Sequence, residues 1–443
     1  MRKKIVLLYL CAALGGVYAS CASVSAQGVR ETVLQALDQH PAIEGAEYNH
    51  KAAQHDKEAE YSGFYPEISA SATAGRVFQD NSTSRGLTVD RGAAYSGFGE
   101  GNIALKQMLF DGLETKFRVH AANARIEHSF YNLLDVKSGI VLRAAQSHID
   151  ILRVRSALLL LEDQMSLIED YVSRISDLVT DGGADETELQ QARDVFMIAS
   201  GTRADYEGQL AAAEASYFEV TGQMPADDLD IPKTLASEIN ENISDVLREV
   251  KENHPMLMAA RMTSKAARHD MKAEHSKIYP DISGELSYLK NDKKDLVGGE
   301  ARDARAVVRM NWNFSTGGRE FSSVRKKREE HYEALSNYEV MERELQRDIY
   351  QSYAMRRTFA RKLQLAKERV DLNEKLLQTY VTQFEGARIS LLSLMKTESQ
   401  LFNARLEESD NIYYHLSSEY TVLSYLGRIH DVVTNETALE TLE

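Results

Sequence analysis

The stretch KAAQHDKEAEYSGFYPEIS, residues 51–69, occurs a second time as KAARHDMKAEHSKIYPDIS, residues 265–283. Twelve of the nineteen positions are identical without a gap, at an offset of 214 residues. The His-Pro dipeptide at 40–41 returns at 254–255 with the same offset. The chain is therefore predicted to contain two copies of one structural unit.

Proline positions divide the chain and permit very long helices. All six prolines fall in the repeated His-Pro and Tyr-Pro pairs or in GQMPADDLDIPK, residues 222–233, which we interpret as a linker. An interior proline costs a helix roughly 3 kcal/mol, so the proline-free remainder favours long helices. Apolar residues between 151 and 179 keep the alternating three-and-four spacing of a coiled-coil seam. The pattern predicts helices at 28–62, 111–180 and 185–222, and then at 243–277, 319–384 and 389–427.

Between the first two helices of each copy the apolar period changes from 3.6 to 2. In ARAVVRMNWNF, residues 304–314, apolar side chains from Ala306 onward alternate with mostly polar ones. Each such segment is about ten residues long, the length of a tilted strand that crosses an outer membrane. The alternative is an ordinary antiparallel sheet with one wet face.

Two features favour the membrane sheet. The hairpin loops at 77–99 and 291–303 are long and polar. Tyr288 and Trp312 lie near predicted strand ends, where the aromatic residues of a membrane interface are found.

The amino terminus has the pattern of a secretory signal peptide. Three basic residues precede an apolar run at 5–17 and small residues that end at Ala26. A competing cleavage before Cys21 would leave a lipid-modified cysteine. Cys11 and Cys21 are the only cysteines, so the mature chain would contain no disulfide and no thiolate metal site. The formal net charge of −15 argues against nucleic acid as a partner.

These assignments predict one domain organisation. A signal peptide at 1–26 is followed by a first repeat at 27–225, a linker at 226–242, a second repeat at 243–430 and a C-terminal tail at 431–443. The first repeat contains strands at 66–76 and 102–110 and a long helix at 111–180. The second repeat contains strands at 280–290 and 304–314 and a long helix at 319–384.

Four strands are too few to close a membrane barrel, because the smallest known ones use about eight. Open sheet edges in lipid would leave backbone groups without hydrogen bonds. Three chains would supply about twelve strands, so a homotrimer is the economical closure. The sequence thus predicts a mixed α and β membrane protein in which long helical rods continue from a shared barrel.

With this order of elements, the chain resembles the TolC family of outer-membrane export channels over nearly all of its mature length. The shared motifs include the His-Pro and Tyr-Pro turns, LFDG at 109–112 and NFSTGG at 313–318. Within the family it is most similar to the type I secretion branch, on segments such as LRAAQSHIDILRVR at 142–155 and QFEGARISLLSLMKTESQLFNARL at 383–406.

The resemblance implies a TolC-like homotrimer with a 12-stranded antiparallel β-barrel, continuous with a periplasmic α-helical barrel. Its partners would be outer-membrane lipid, a periplasmic adaptor (membrane fusion) protein and an inner-membrane ABC transporter. The implied function is that of a passive exit duct for protein export, such as a toxin or an adhesin.

The second helical turn, which precedes the predicted helix at 389–427, departs from the family pattern. Family members usually carry aspartates there that narrow the inner end of the tunnel, whereas this chain has Ser393 and Lys396. Acidic residues crowd the other turn instead. We therefore expect a periplasmic gate at that turn, formed by Asp181, Asp185, Glu186 and Glu188. The alternative is a solvated loop whose acids are favoured by the start of a helix.

Leu391, Leu392 and Leu394 lie at the tip of the second helical hairpin. An exposed apolar cluster there would suit docking of the adaptor. Packing within the trimer is the alternative.

No pattern typical of an enzyme is present. We find no convincing catalytic constellation, no histidine pair with metal-ligand spacing on a helix and no phosphate loop. The sequence predicts no cofactor, so the energy for transport must come from a partner. Two alternatives to type I secretion stay open, namely the outer-membrane component of a multidrug efflux pump and a soluble periplasmic coiled-coil scaffold.

Overall fold

The structure is a computed structural model that describes residues 26–79, 94–293, 300–313, 317–386 and 389–434. The predicted signal peptide up to residue 25, with both cysteines, lies outside these residues. So do most of the predicted tail, Phe314 and the central parts of the two hairpin loops.

The same order of elements occurs twice along the chain. Each repeat consists of two helices, two strands, one long helix and one shorter helix. The first repeat contains α1 (Val29–Gln39), α2 (Pro41–Tyr61), β1 (Glu67–Gln79), β2 (Ala94–Phe110), α3 (Glu114–Thr180) and α4 (Glu186–Thr221). The second contains α5 (Ile243–Asn253), α6 (Pro255–Ser276), β3 (Asp281–Lys293), β4 (Glu300–Asn311), α7 (Arg319–Glu385) and α8 (Leu391–Tyr425), and it is followed by α9 (Ile429–Thr434).

The first helix predicted in each repeat is in fact two helices, separated at the His-Pro dipeptide. A residue before proline is forced into extended backbone, and proline is well suited to the first turn of the next helix. The His40 Nδ1 accepts a hydrogen bond from the Ala42 N–H at 3.1 Å. The His254 Nδ1 accepts one from the Met256 N–H at 3.2 Å. Both histidines are therefore N-caps, which explains why the dipeptide returns with the repeat.

The four strands form one antiparallel sheet in the order β1-β2-β3-β4. The strands are longer than predicted, and β2 begins at Ala94 rather than at 102. The glycine-rich residues 97–101 have the composition of a loop. They are nevertheless held in the sheet on both sides, since Gly99 pairs with Ala74 and with Asp292. Pairing with two neighbouring strands overrides the weak strand propensity of glycine.

One face of the sheet is apolar across all four strands. Ile68 lies opposite Leu105, Leu105 lies opposite Leu286, and Leu286 lies opposite Ala306. Because directly opposed residues share a face, the register places the apolar side chains of every strand together. None of the residues that the structure describes covers this face: Ile68 is 71 % and Val308 is 72 % exposed.

The helices next to the sheet form a single layer in the same order as the strands. Contacts between side chains define the order α2–α3–α6–α7. Glu60 on α2 contacts Arg118 on α3 at 3.9 Å, and Arg125 on α3 contacts Asp270 on α6 at 2.7 Å. Ser323 on α7 donates to Glu274 on α6. Each strand thus continues into one helix of the layer.

Farther from the sheet the order is α4–α3–α8–α7. Arg153 on α3 is the central contact, because it donates to Gln209 on α4 and to Asp410 on α8, each at 3.3 Å. Arg405 on α8 contacts Glu374 on α7 at 2.9 Å. The shorter helices α2 and α4 therefore lie along α3 one after the other, while α6 and α8 lie between α3 and α7.

A buried carboxylate fixes the linker between the repeats. Glu419 on α8 is fully buried and accepts hydrogen bonds from the Thr234 hydroxyl and from the Leu235 N–H, both at 2.8 Å. A buried charge is tolerated only when its hydrogen bonds are made. The linker is thus held against the helix layer where the two repeats meet.

Within the described ranges, no helix is long and apolar enough to cross a membrane.

The His254 cap makes stability depend on pH. Burial lowers the pKa of His254 from 6.5 to about 4, so the folded protein holds the ring neutral where the unfolded chain would protonate it. This contribution is complete above about pH 6.5 and is lost as the pH falls toward 4. Acidification from about pH 7.5 to about 4.5 is expected to remove on the order of 2 kcal/mol of stability through this residue.

The thermal midpoint in detergent, followed by circular dichroism at the two pH values, checks this expectation. His254→Asn keeps a capping acceptor but does not titrate, so its midpoint should fall less on acidification. His55→Asn, at an exposed histidine, should behave as the wild type. Equal acid sensitivity of H254N and wild type would contradict the assignment.

Candidate functional site

The two helical turns farthest from the sheet lie beside each other. One turn, residues 181–185, joins α3 to α4, and the other lies between the end of α7 at Glu385 and the start of α8 at Leu391. Each follows a helix of 67 residues that begins next to the sheet, which puts the turns about 100 Å away from it. An open cleft of about 750 Å³ is lined by residues of both turns.

The four acidic residues of the predicted gate occupy different places at the first turn. Asp181 directly follows α3. Asp185 is the N-cap of α4, and Glu186 and Glu188 belong to its first turn. Asp185, Glu186 and Glu188 line the cleft, whereas Asp181 does not. The structure therefore brings three of the four acids to one cleft.

Asp185 has a structural role in addition to its charge. Its carboxylate accepts hydrogen bonds from the Thr187 N–H at 3.0 Å and from the Thr187 hydroxyl at 3.1 Å. These bonds hold the pKa of Asp185 below its ordinary value. Glu186 accepts a hydrogen bond from Gln190 at 2.8 Å. Across the described part of the chain none of the four acids forms an ion pair, so their negative charge is not neutralised at the turn.

The residues that stand in place of the family's aspartates stabilise the second turn. Ser390 is the N-cap of α8 and accepts a hydrogen bond from the Ser393 N–H at 3.3 Å. The Lys396 ammonium donates to the Gln191 side chain on α4 at 3.0 Å. Lys396 therefore connects the tips of the two helical hairpins.

The three leucines of the predicted docking tip are buried, so the expectation of an exposed cluster is wrong. Leu391, Leu392 and Leu394 are 5 %, 7 % and 6 % exposed. They pack with Met395 and with Ile175 of α3 in one apolar cluster. The physical reason is that the second hairpin contributes its apolar side to the core between the two hairpins. Their burial is already complete within one chain.

A tyrosine and a carboxyl group meet inside the same tip. Burial and the neighbouring Glu398 raise the pKa of Tyr171 to about 12. Burial likewise raises the pKa of Glu398. Tyr171 is therefore protonated at neutral pH and can donate its hydroxyl hydrogen to Glu398.

The two aromatic residues predicted at the membrane interface occupy different levels of the sheet. Trp312 directly follows β4, and its indole N–H donates to the Ile278 carbonyl at 3.1 Å. Tyr288 lies on the apolar face, opposite Ile103 and Ala304. Because β3 extends to Lys293, Tyr288 lies within the strand, and the expectation that it is near the strand end is wrong.

Among the residues that the structure describes, no group of three or more His, Cys, Asp or Glu side chains could hold a metal ion.

Sequence reasoning missed one contact of this site and one feature of the fold. The contact between Lys396 and Gln191 joins residues 205 positions apart, and no local sequence pattern predicts it. The capping role of His40 and His254 did leave a signal, since a polar side chain directly before a helix-starting proline is a position for an N-cap.

Comparison with known proteins gives a family match over most of the chain. Residues 32–223 and 246–428 match the family described as Outer membrane efflux protein. The outer membrane efflux protein BepC of Brucella suis biovar 1 is 21 % identical over 365 residues, which are 82 % of this chain and 79 % of BepC.

Two solved structures show how widely the fold is shared. The outer membrane channel CmeC of Campylobacter jejuni superposes with a TM-score of 0.77 over 96 % of this chain and 94 % of CmeC, at 12 % identity. The outer membrane protein VceC of Vibrio cholerae gives a TM-score of 0.76 over 90 % of this chain and 96 % of VceC, at 14 % identity.

Proposed function

This chain belongs to the outer membrane efflux protein family, and on that premise we propose that it is the outer-membrane exit duct of a type I secretion system. Its fold is that of the TolC-family channels, its place is the outer membrane, and it is not an enzyme. Membership of an outer-membrane family removes the soluble scaffold as an alternative. The single observation that supports the duct function most strongly is a channel fold whose sheet has one apolar, uncovered face.

The open edges of the sheet support assembly as a homotrimer. Within the described part of one chain, β1 and β4 each have a neighbouring strand on one side only. Unpaired backbone groups in lipid cost several kcal/mol each, so only closed barrels are stable there. Pairing of β4 with β1 of the next chain closes the barrel without any further element.

The edges of the helix layer support the same assembly. Along α7, only six of 67 residues are buried within one chain. Leu372 and Met355, both on α7, are more than half exposed. The opposite edge offers exposed apolar side chains as well, among them Met197 and Ile198 on α4 and Tyr48 on α2. Two exposed apolar edges on one layer are expected of a subunit that packs edge to edge around a ring.

In detergent the mature protein is expected to be a trimer, and in planar bilayers it should form conducting pores. Leu372→Glu should weaken the trimer by about 1.5–3 kcal/mol or more per interface, because it puts a charge where the proposed trimer would bury an exposed leucine of the single chain. Light scattering in detergent measures the change.

The matched control is Leu159→Glu, at a leucine that is equally exposed but belongs to α3, an inner helix of the layer. This variant should remain trimeric. A monomeric wild type that is soluble without detergent would overturn the proposal that this protein is an outer-membrane duct.

The assignment to type I secretion rests on similarity to that branch in segments 142–155 and 383–406. Its partners would be a periplasmic adaptor protein and an inner-membrane ABC transporter, and its cargo a large exported protein. The competing function is drug efflux, which is favoured by the description of BepC as an efflux protein.

Deletion of the gene separates these two functions. Type I secretion predicts that at least one large protein disappears from the culture medium while susceptibility to antibiotics is unchanged. Mass spectrometry of the medium and growth inhibition measure the two effects. Restoration by the wild-type gene is the control, and a deletion that only raises drug susceptibility would assign the chain to efflux.

We place the periplasmic gate at the turn between α3 and α4. Threefold symmetry would repeat Asp185, Glu186 and Glu188 around the axis, and a ring of carboxylates favours cations. The lack of ion pairs at these acids among the described residues supports this placement. Lys396, which stands where the family has an aspartate, is bound to Gln191.

The quadruple variant D181N/D185N/E186Q/E188Q neutralises all four acids. It should lower the preference of the pore for cations by roughly twofold or more. The asparagine at 185 retains an acceptor for the N-cap. Single-channel recording in a salt gradient measures the preference.

A control variant removes four exposed acids far from the turns, as D227N, D228N, E249Q and E252Q, and should keep the wild-type preference. The gate would be excluded if both variants gave the same selectivity as the wild type.

A further inference from the structure

An apolar cavity of about 510 Å³ lies directly beside the sheet, between α3, α6 and α7. We propose that it is a binding site for an anionic membrane phospholipid, with an acyl chain in the cavity and the phosphate of the headgroup on Lys272 and Arg328.

The cavity opens on the apolar side of the protein. Phe110, the last residue of β2, forms part of its wall. A bulge in β2 places Phe110 opposite Ile282, and Ile282 in turn lies opposite Met310 on the apolar face. The walls are thus continuous with the surface of the sheet that faces lipid. Its volume is within the range of about 300–1,000 Å³ that is typical of small-molecule sites.

The other side of the same helices is charged. A smaller cavity of about 210 Å³ there is lined almost entirely by acidic and basic side chains, among them Glu60, Arg125, Asp270 and Lys327. The helix layer therefore keeps the two-sided character of the sheet just beyond the membrane. An acyl chain fits only the apolar side.

Two cations at the rim lack an acidic partner. Lys272 and Arg328 both line the cavity, and neither forms an ion pair within the described residues. The Lys272 ammonium lies 5.6 Å from the centre of the Phe117 ring. The acids of α6 near it are engaged elsewhere, since Asp270 contacts Arg125 and Glu274 contacts Lys277. In a chain with a formal net charge of −15, uncompensated cations at an apolar cavity fit an anionic headgroup.

Lys272 also acts on a pair of neighbouring histidines. His269 stacks on His120 at 5.3 Å between ring centroids. Burial, followed by His120, Lys272 and Arg268, lowers the pKa of His269. Lys272 thus adds to the unfavourable effect that burial and His120 have on protonation of His269.

The position of the cavity favours lipid over a neighbouring subunit. Two of its three helical walls, α3 and α6, are inner helices of the layer, so the cavity lies on the face and not at an edge. The boundary between sheet and helices is where the phosphates of the inner leaflet would lie. Surface lysines and arginines next to anionic lipid each contribute about a factor of five in binding.

Fluorescence quenching by brominated lipid tests the site in the full-length trimer. The single tryptophan is removed as Trp312→Phe, and a reporter is placed in the cavity as Phe117→Trp. The protein is reconstituted into phosphatidylcholine vesicles that contain either brominated phosphatidylglycerol or brominated phosphatidylcholine. We expect stronger quenching by the anionic lipid, and a loss of this preference by roughly thirtyfold in K272Q/R328Q.

The matched control K116Q/K326Q removes two cations at the same level that do not line the cavity, and it should keep the preference. Lipids extracted from the purified variants, quantified by mass spectrometry, provide a second measurement that needs no reporter.

Equal quenching by the two lipids would overturn the site, as would a preference that survives in K272Q/R328Q. Loss of the preference in millimolar inorganic phosphate would indicate a site for the free anion and also overturn it. Absence of quenching by either lipid would also overturn the site, because it would mean that protein covers the cavity. Pore conductance is measured in parallel. A variant that still conducts shows that only the lipid site is wrong, whereas a wild type that does not conduct contradicts the duct function itself.

Discussion

The hydrogen bonds of the backbone at the sheet edges are the constraint on which the rest of this structure depends. Burial in lipid would stabilise a four-stranded sheet with one uncovered apolar face, but its two outer strands lack a second neighbour among the described residues of the same chain. In water such edges are hydrated, whereas in lipid each unpaired group costs several kcal/mol. In the proposed trimer, strands of the neighbouring chains complete the sheet. The two exposed apolar edges of the helix layer would likewise be covered by helices of the neighbouring chains.

The sheet also determines the arrangement of the helices. Every strand continues into one helix, and the order of the helices next to the sheet repeats the order of the strands. A layer that is four helices wide at both ends needs two short helices for each long one, because the long helices span its whole length. This explains why each repeat contains α2 and α4, or α6 and α8, beside a single helix of 67 residues.

Most of the fold could be predicted from the sequence because its signals are local. The mixed helical and four-stranded architecture is confirmed, as is the TolC-like fold. The length of β2 could not be predicted, because Gly97, Gly99 and Gly101 have no strand propensity and are held only by neighbours that come from both repeats.

Tertiary packing explains what was missed at the helical tips. Apolar residues at a turn predict an interaction, but they do not identify the partner. Leu391, Leu392 and Leu394 pack inside the chain, since the two hairpin tips meet each other. The acidic turn was found from composition alone, whereas its division into a capping aspartate and three further acids needed the geometry.

The pairing of β2 with β3 has a consequence for the symmetry of the assembly. These two strands come from different repeats, yet they pair antiparallel with the same alternation of faces as the strands within each hairpin. The pairing between the two halves of one polypeptide is thus built like the pairing that the proposed trimer needs between neighbouring chains. In the proposed trimer the backbone would therefore have nearly the symmetry of a ring of six half-chains, and the covalent linker held by Glu419 would keep first and second repeats in alternation.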